Sequence, residues 1–153
     1  MGYCTVADVK ARYDDDELRR LTDDAKTGAI DDNVIQSEID NATTEINGYL
    51  QNRYVVPVVD DPFPELLKVW CLEFTAYNIV KRRKGLTGDM PETLTKERER
   101  IIGELRKVNE GRLSIAATLI SDLPLSSPNR VMVVRTRPGK VFTNETLDKF
   151  RGS

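Results

Sequence analysis

From Asp32 onward the apolar residues fall at Val34, Ile35, Ile39, Ala42, Ile46, Tyr49 and Leu50. Steps of three and four keep one face inward for about five turns, so the spacing predicts a long helix with Asp31 or Asp32 as its cap. The stretch "VVPVVDDPFP" ends that helix, because proline removes an amide donor and clashes with the preceding turn. Pro64 then suits the first position of the next helix, Pro64 to Lys84. There Leu66, Leu67, Val69, Trp70, Leu72, Phe74, Ala76, Tyr77, Ile79 and Val80 cover most of the circumference. A helix apolar on nearly every side is buried on several sides, at the centre of the domain or against a neighbouring subunit. "KGLTGDMP" breaks it. A third long helix, Glu92 to Glu110, presents Leu94, Ile101, Ile102, Leu105 and Val108 among alternating charges, with Gly111 as its stop.

Two short helices precede these. Thr5 and Asp8 have capping-box spacing with Asp in place of Glu, which predicts a helix over Val6 to Arg12. "DDDELRRL" opens another, its acids at the positive end of the dipole. Beyond "GRLSIAATLI" the texture changes to a Pro/Ser linker, "SDLPLSSPN", and then to "RVMVVRTRPGKVF", β-prone and basic with a Pro-Gly turn signal. The chain shows no internal repeat and no low-complexity tract. The predicted fold is therefore mainly α: a compact bundle of about three long and two short helices over residues 1–120, followed by a linker and an extended, β-prone C-terminal arm over 121–153.

Charge sharpens this picture more than composition does. The net charge is only −2, yet residues 1–40 hold five Lys/Arg against eleven Asp/Glu, and residues 129–153 hold six basic against two acidic. An acidic head and a basic tail suit contacts between copies or with a second protein. With no histidine and only Cys4 and Cys71 far apart, zinc fingers, Cys-His nucleophiles and the Ser-His-Asp triad are excluded. The expected setting is reduced and intracellular. Neither a signal peptide nor an apolar run of roughly 18 residues is present, so the expectation is a soluble chain without membrane contact.

Four stretches invite a chemical reading. "LTDDAKTGAIDD" has the acids and central glycine of a calcium loop, but an EF-hand starting at Asp23 would need oxygen ligands where Ala25 and Val34 stand. It reads better as a turn with Gly28 in a left-handed conformation and acids at helix ends. Lys81, Arg82, Arg83 and Lys84 could meet phosphate or a neighbour, although cations at a helix C-terminus are favoured by the dipole in any case. Trp70, Phe74 and Tyr77 have the spacing of a ligand stripe and, more commonly, of a core. In the arm, Arg130, Val131, Met132, Val133, Val134, Arg135, Arg137, Val141 and Phe142 have the alternation to add a strand to a partner's sheet. The carboxylates form no pair that the sequence places in a cleft, so a non-enzymatic chain without cofactor or metal is expected.

Taken in order, "CTVADVKARYDDDELRRLTDD", "GAIDDNVIQSEIDNATTEINGYLQNRYVVPV", "LLKVWCLEFTAYNIVKRR" and "ERERIIGELRKVNEGRLSI" resemble the Mu-like bacteriophage head-tail connector family over residues 4–115. The most specific block is "EINGYLQNRYVVPV". The resemblance implies an all-helical virion adaptor, assembled in the host cytoplasm as a homo-oligomeric ring of about twelve copies beneath the portal. In that reading a downstream neck or tail protein docks below and viral DNA passes through the lumen; the arm, Arg130 to Phe142, is then the expected partner-contacting segment, and the Lys81–Lys84 cluster faces solvent, a neighbour or the DNA channel. It implies no catalytic residue. Other neck positions, a stopper or a tail-completion protein, stay open. So does a calcium- or nucleic-acid-binding regulatory helical module.

Overall fold

The computed structural model describes residues 2–85 and 88–122, so the arm residues Arg130 to Phe142 lie outside the described part. The described chain folds into α1 (Val6–Arg12), α2 (Asp15–Thr22), α3 (Asp32–Leu50), α4 (Glu65–Lys84), α5 (Glu92–Asn109) and a 3₁₀ turn at Ile120–Asp122. These are the expected three long and two short helices.

Local chemistry sets most of the boundaries. The Thr5 side chain accepts from the Asp8 amide while Asp8 accepts from the Thr5 amide, closing the capping box at α1. Asp14 caps α2, and Asp31 rather than Asp32 caps α3, accepting from the amides of Asn33 and Val34. Pro64 stands one residue before α4 instead of opening it, a one-residue shift at a helix end. At the far end of α5, Gly111 takes φ of 78° and lets the Arg112 amide reach back to the Lys107 carbonyl at 2.8 Å.

The centre of the molecule is α4. It packs against α3, α5 and α2, and buries Leu67, Trp70, Cys71, Leu72, Phe74, Thr75, Ala76, Ile79 and Val80. Its own chain thus supplies the burial that its all-round apolar surface demands, and only Leu66 and Val69 are left facing outward. α3 contributes Ile35, Ile39, Ala42, Thr43, Ile46 and Leu50, and α5 contributes Ile101, Leu105 and Val108. Full burial of each large aliphatic or aromatic side chain is worth about 1.5 to 3 kcal/mol against exposure.

After α5 the chain returns across the segment that follows α3. Tyr54 and Leu119 form an isolated antiparallel bridge, with the Val55 amide on the Thr118 carbonyl at 3.0 Å and the Ile120 amide on the Arg53 carbonyl at 2.8 Å. Buried Tyr54 also accepts from the Ile115 amide through its hydroxyl. The Val56–Pro57 and Asp61–Pro62 peptide bonds in this proline-rich connection are cis. The helical body is closed by non-helical chain that the sequence texture did not announce.

Candidate interaction surface

The acidic turn and the basic helix end, read separately in the sequence, meet in space. Asp24 receives Arg82 in a two-pronged arrangement, Nη1 to Oδ2 at 2.6 Å and Nη2 to Oδ1 at 3.3 Å, and Arg83 reaches the same carboxylate at 2.9 Å. Arg82 also donates to the Leu21 carbonyl at 3.0 Å. Beside Arg82, the Asp24 carboxyl is held below the usual aspartate range, while the guanidinium is pushed up. Within the cluster Lys84 donates to the Asp89 carbonyl, and Lys81 is exposed on the edge of a polar cleft. Of the four cations named from sequence, two are therefore engaged by the chain's own acid.

The other acids of the turn hold backbone. Asp23 accepts from the Thr27 amide at 2.8 Å and the Gly28 amide at 2.7 Å, and these two bonds lower its pKa. Gly28 has φ of 79°, as the turn reading requires, and Lys26 beside it takes φ of 57°. Asp31 caps α3, and the Asp31 amide donates to Thr22 at 3.1 Å. Both carboxylate oxygens of Asp23 thus orient the turn itself.

Next to this junction lies an open cleft of about 480 Å³ between α3 and α4, lined by Glu38, Asn41, Glu45, Asn78, Lys81 and Arg82, with Arg98 of α5 at its inner end. Arg98 sits 4.7 Å from the Phe74 ring centre and 4.6 Å from that of Tyr77, and pairs with Glu45 at 2.5 Å. Trp70 and Phe74 are fully buried, whereas Tyr77 is half-buried and serves as one face of this arginine slot. Trp70 itself donates to Glu104 on α5 at 2.9 Å. The stripe is core, then, with a cation clamped at its rim. Nothing in "KERERI" singled out Arg98 among its charged neighbours; only the fold brings it over the rings.

A second groove, about 260 Å³ and more apolar, runs between α2, α4 and the start of α5, and its walls include Leu18, Leu21, Ile79, Val80 and Leu94. Glu17, in the acidic first turn of α2, stands at its rim. Tyr13 also lines it, its hydroxyl pushed up to about 12 by burial and by Glu73.

The family model described as Bacteriophage Mu, Gp36 matches residues 3–133. The chain belongs to that family. The match takes in all five helices and the returning segment that pairs with Tyr54, and it runs on to Val133. The resemblance found in the four ordered sequence blocks is thus borne out at the level of a Mu-like phage protein. No curated protein matches the chain. None of the described helices is long and apolar enough to cross a membrane.

Proposed function

We propose that this phage protein is a structural component of the virion neck, a head-tail connector that forms a ring beneath the portal and joins capsid to tail while DNA passes through its lumen. The observation that carries the reading is the match to the Mu Gp36 family over residues 3–133, in the same four blocks that resemble phage connectors. Two features of the molecule support it. The N-terminal forty residues are strongly acidic and the last twenty-five basic, a separation suited to heterologous contacts that close into a ring. The α4 surface also presents Leu66 and Val69, 38% and 40% exposed, as apolar contact points.

In this reading Arg130 to Phe142 form the segment that engages the portal or a neighbouring copy by adding a strand to its sheet. Lys81 is the exposed cation of the cluster that can meet a neighbour or DNA, while Arg82 and Arg83 brace the turn at Asp24 and Lys84 is engaged by the Asp89 carbonyl. No step of catalysis and no cofactor is assigned. Co-expression with the portal protein of the same phage, followed by affinity capture and negative-stain imaging, tests the proposal. Rings on the portal are the expected result. A full-length chain that stays monomeric and ignores the portal would sink it, and capture by a tail-side protein instead would move the chain to a stopper or tail-completion position.

A further inference from the structure

The chain has only two cysteines, and the fold brings them together. Cys4 lies in the segment that precedes α1, and Cys71 sits in the second turn of α4. Both are free thiols and both are buried. Their sulfurs are 3.1 Å apart, with Cys4 donating to Cys71. The two sulfurs are thus in direct contact, with no other group between them. Thr43 on α3 also approaches the Cys71 sulfur at 3.7 Å.

The surroundings fix the two sulfurs in place. The Tyr3 amide donates to Thr43 at 3.2 Å, and the Tyr3 hydroxyl accepts from the Val58 amide at 3.0 Å while donating to Asn47. A Cβ on Gly2 would come within 2.3 Å of Ile39, so the segment lies directly on α3. The N-terminal segment therefore delivers Cys4 to one point on α4 with little freedom to miss it.

We propose that Cys4 and Cys71 form a reversible intramolecular disulfide that locks the N-terminal segment onto α4 when the protein meets a low-molecular-weight disulfide such as oxidised glutathione. The Cys71 thiolate, favoured by the hydrogen bond from Cys4, attacks one glutathione sulfur. The glutathione sulfur–sulfur bond breaks, and one glutathione leaves as thiolate and takes up the proton that Cys71 released. Cys4 then loses its proton and attacks the Cys71 sulfur, breaking the mixed disulfide and releasing the second glutathione as thiol. Two protein thiols are oxidised by two electrons, and one glutathione disulfide is reduced to two thiols. Both sulfurs are buried, so the exchange requires a local opening of the packing around Cys4 that exposes Cys71. The bond would join positions 67 residues apart, and closing so long a loop restricts the unfolded chain.

This inference does not rest on the connector reading. Its test is to incubate the native full-length chain with oxidised glutathione, unfold it, block free thiols with N-ethylmaleimide and measure the intact mass. The expected product has lost two hydrogens, carries no maleimide and no glutathione, and melts about 10 °C higher until dithiothreitol restores the original value. Two maleimide adducts, a retained glutathione or a disulfide-linked dimer would each overturn the proposal. So would an oxidant-dependent rise in melting temperature that survives in Cys4→Ser. The mass measurement on the unaltered chain decides the matter even where that variant folds poorly.

Discussion

Asp24 joins the turn after α2 to the end of α4, because a single carboxylate receives two guanidinium groups. Exposed ion pairs contribute little each, but this one has a pH signature. The carboxyl titrates below the ordinary aspartate value of 3.8 because Arg82 stabilises its charged form. Asp8, held by Lys68, and Glu97, held by Arg100, are displaced in the same direction. A lowered folded-state pKa means that the stabilisation is complete above the unfolded value and disappears as pH falls through the folded value. Melting temperature should therefore stay level between neutral pH and about 5 and fall steeply below about 4. Asp24→Asn should flatten part of that fall; a variant with the unchanged acid profile would show that the pairing is incidental. At this scale little was legible in advance. Asp24 with Arg82, Arg98 with Phe74 and Tyr77, and Cys4 with Cys71 are each separated by more than twenty residues, and charge or thiol chemistry has no periodicity that points along the chain to its partner.

The helices themselves were legible because their signals are local. Thr5 with Asp8, Asp31 before Val34, and Gly111 after Val108 each act within one turn, and the apolar steps of α3 and α5 register directly as buried faces. Thr5→Ala removes one half of the capping box and should lower stability by about 1 kcal/mol, measured by urea unfolding. The contrast with the core is sharp: Leu105→Ala, on the fully buried face of α5, should cost about 2 to 5 kcal/mol. Equal losses for the two variants would contradict the burial pattern. Arg98→Ala falls between, since it removes the guanidinium from two aromatic faces and leaves Glu45 without its partner; a loss of about 1 to 2 kcal/mol is expected. The return of the chain to Tyr54 after α5 had no comparable local mark. Its bridge is one residue pair long, too short for the alternation that reveals a strand.

For the whole molecule the decisive question is how the helical body and the C-terminal segment divide the work. Every buried apolar residue of the described core lies between Tyr3 and Ile115, and α4 has its neighbours within the same chain. A chain ending at Asp122 should accordingly keep its helical circular dichroism and a cooperative melt within a few degrees of the full-length value, since local changes far from a core shift stability little. Association should behave differently. The last twenty-five residues carry the basic excess, and the exposed Glu17 in the acidic first turn of α2 stands beside the apolar groove of Leu18 and Leu21. If the basic segment binds a partner through charge as well as through strand addition, full-length capture of the portal should weaken as salt rises past about 0.5 M, where screening lengths fall to a few ångströms. The shortened chain should show no capture at any salt. Capture that persists without residues 123–153 would transfer the partner contact to the helical body, with Leu66 and Val69 as the first positions to alter.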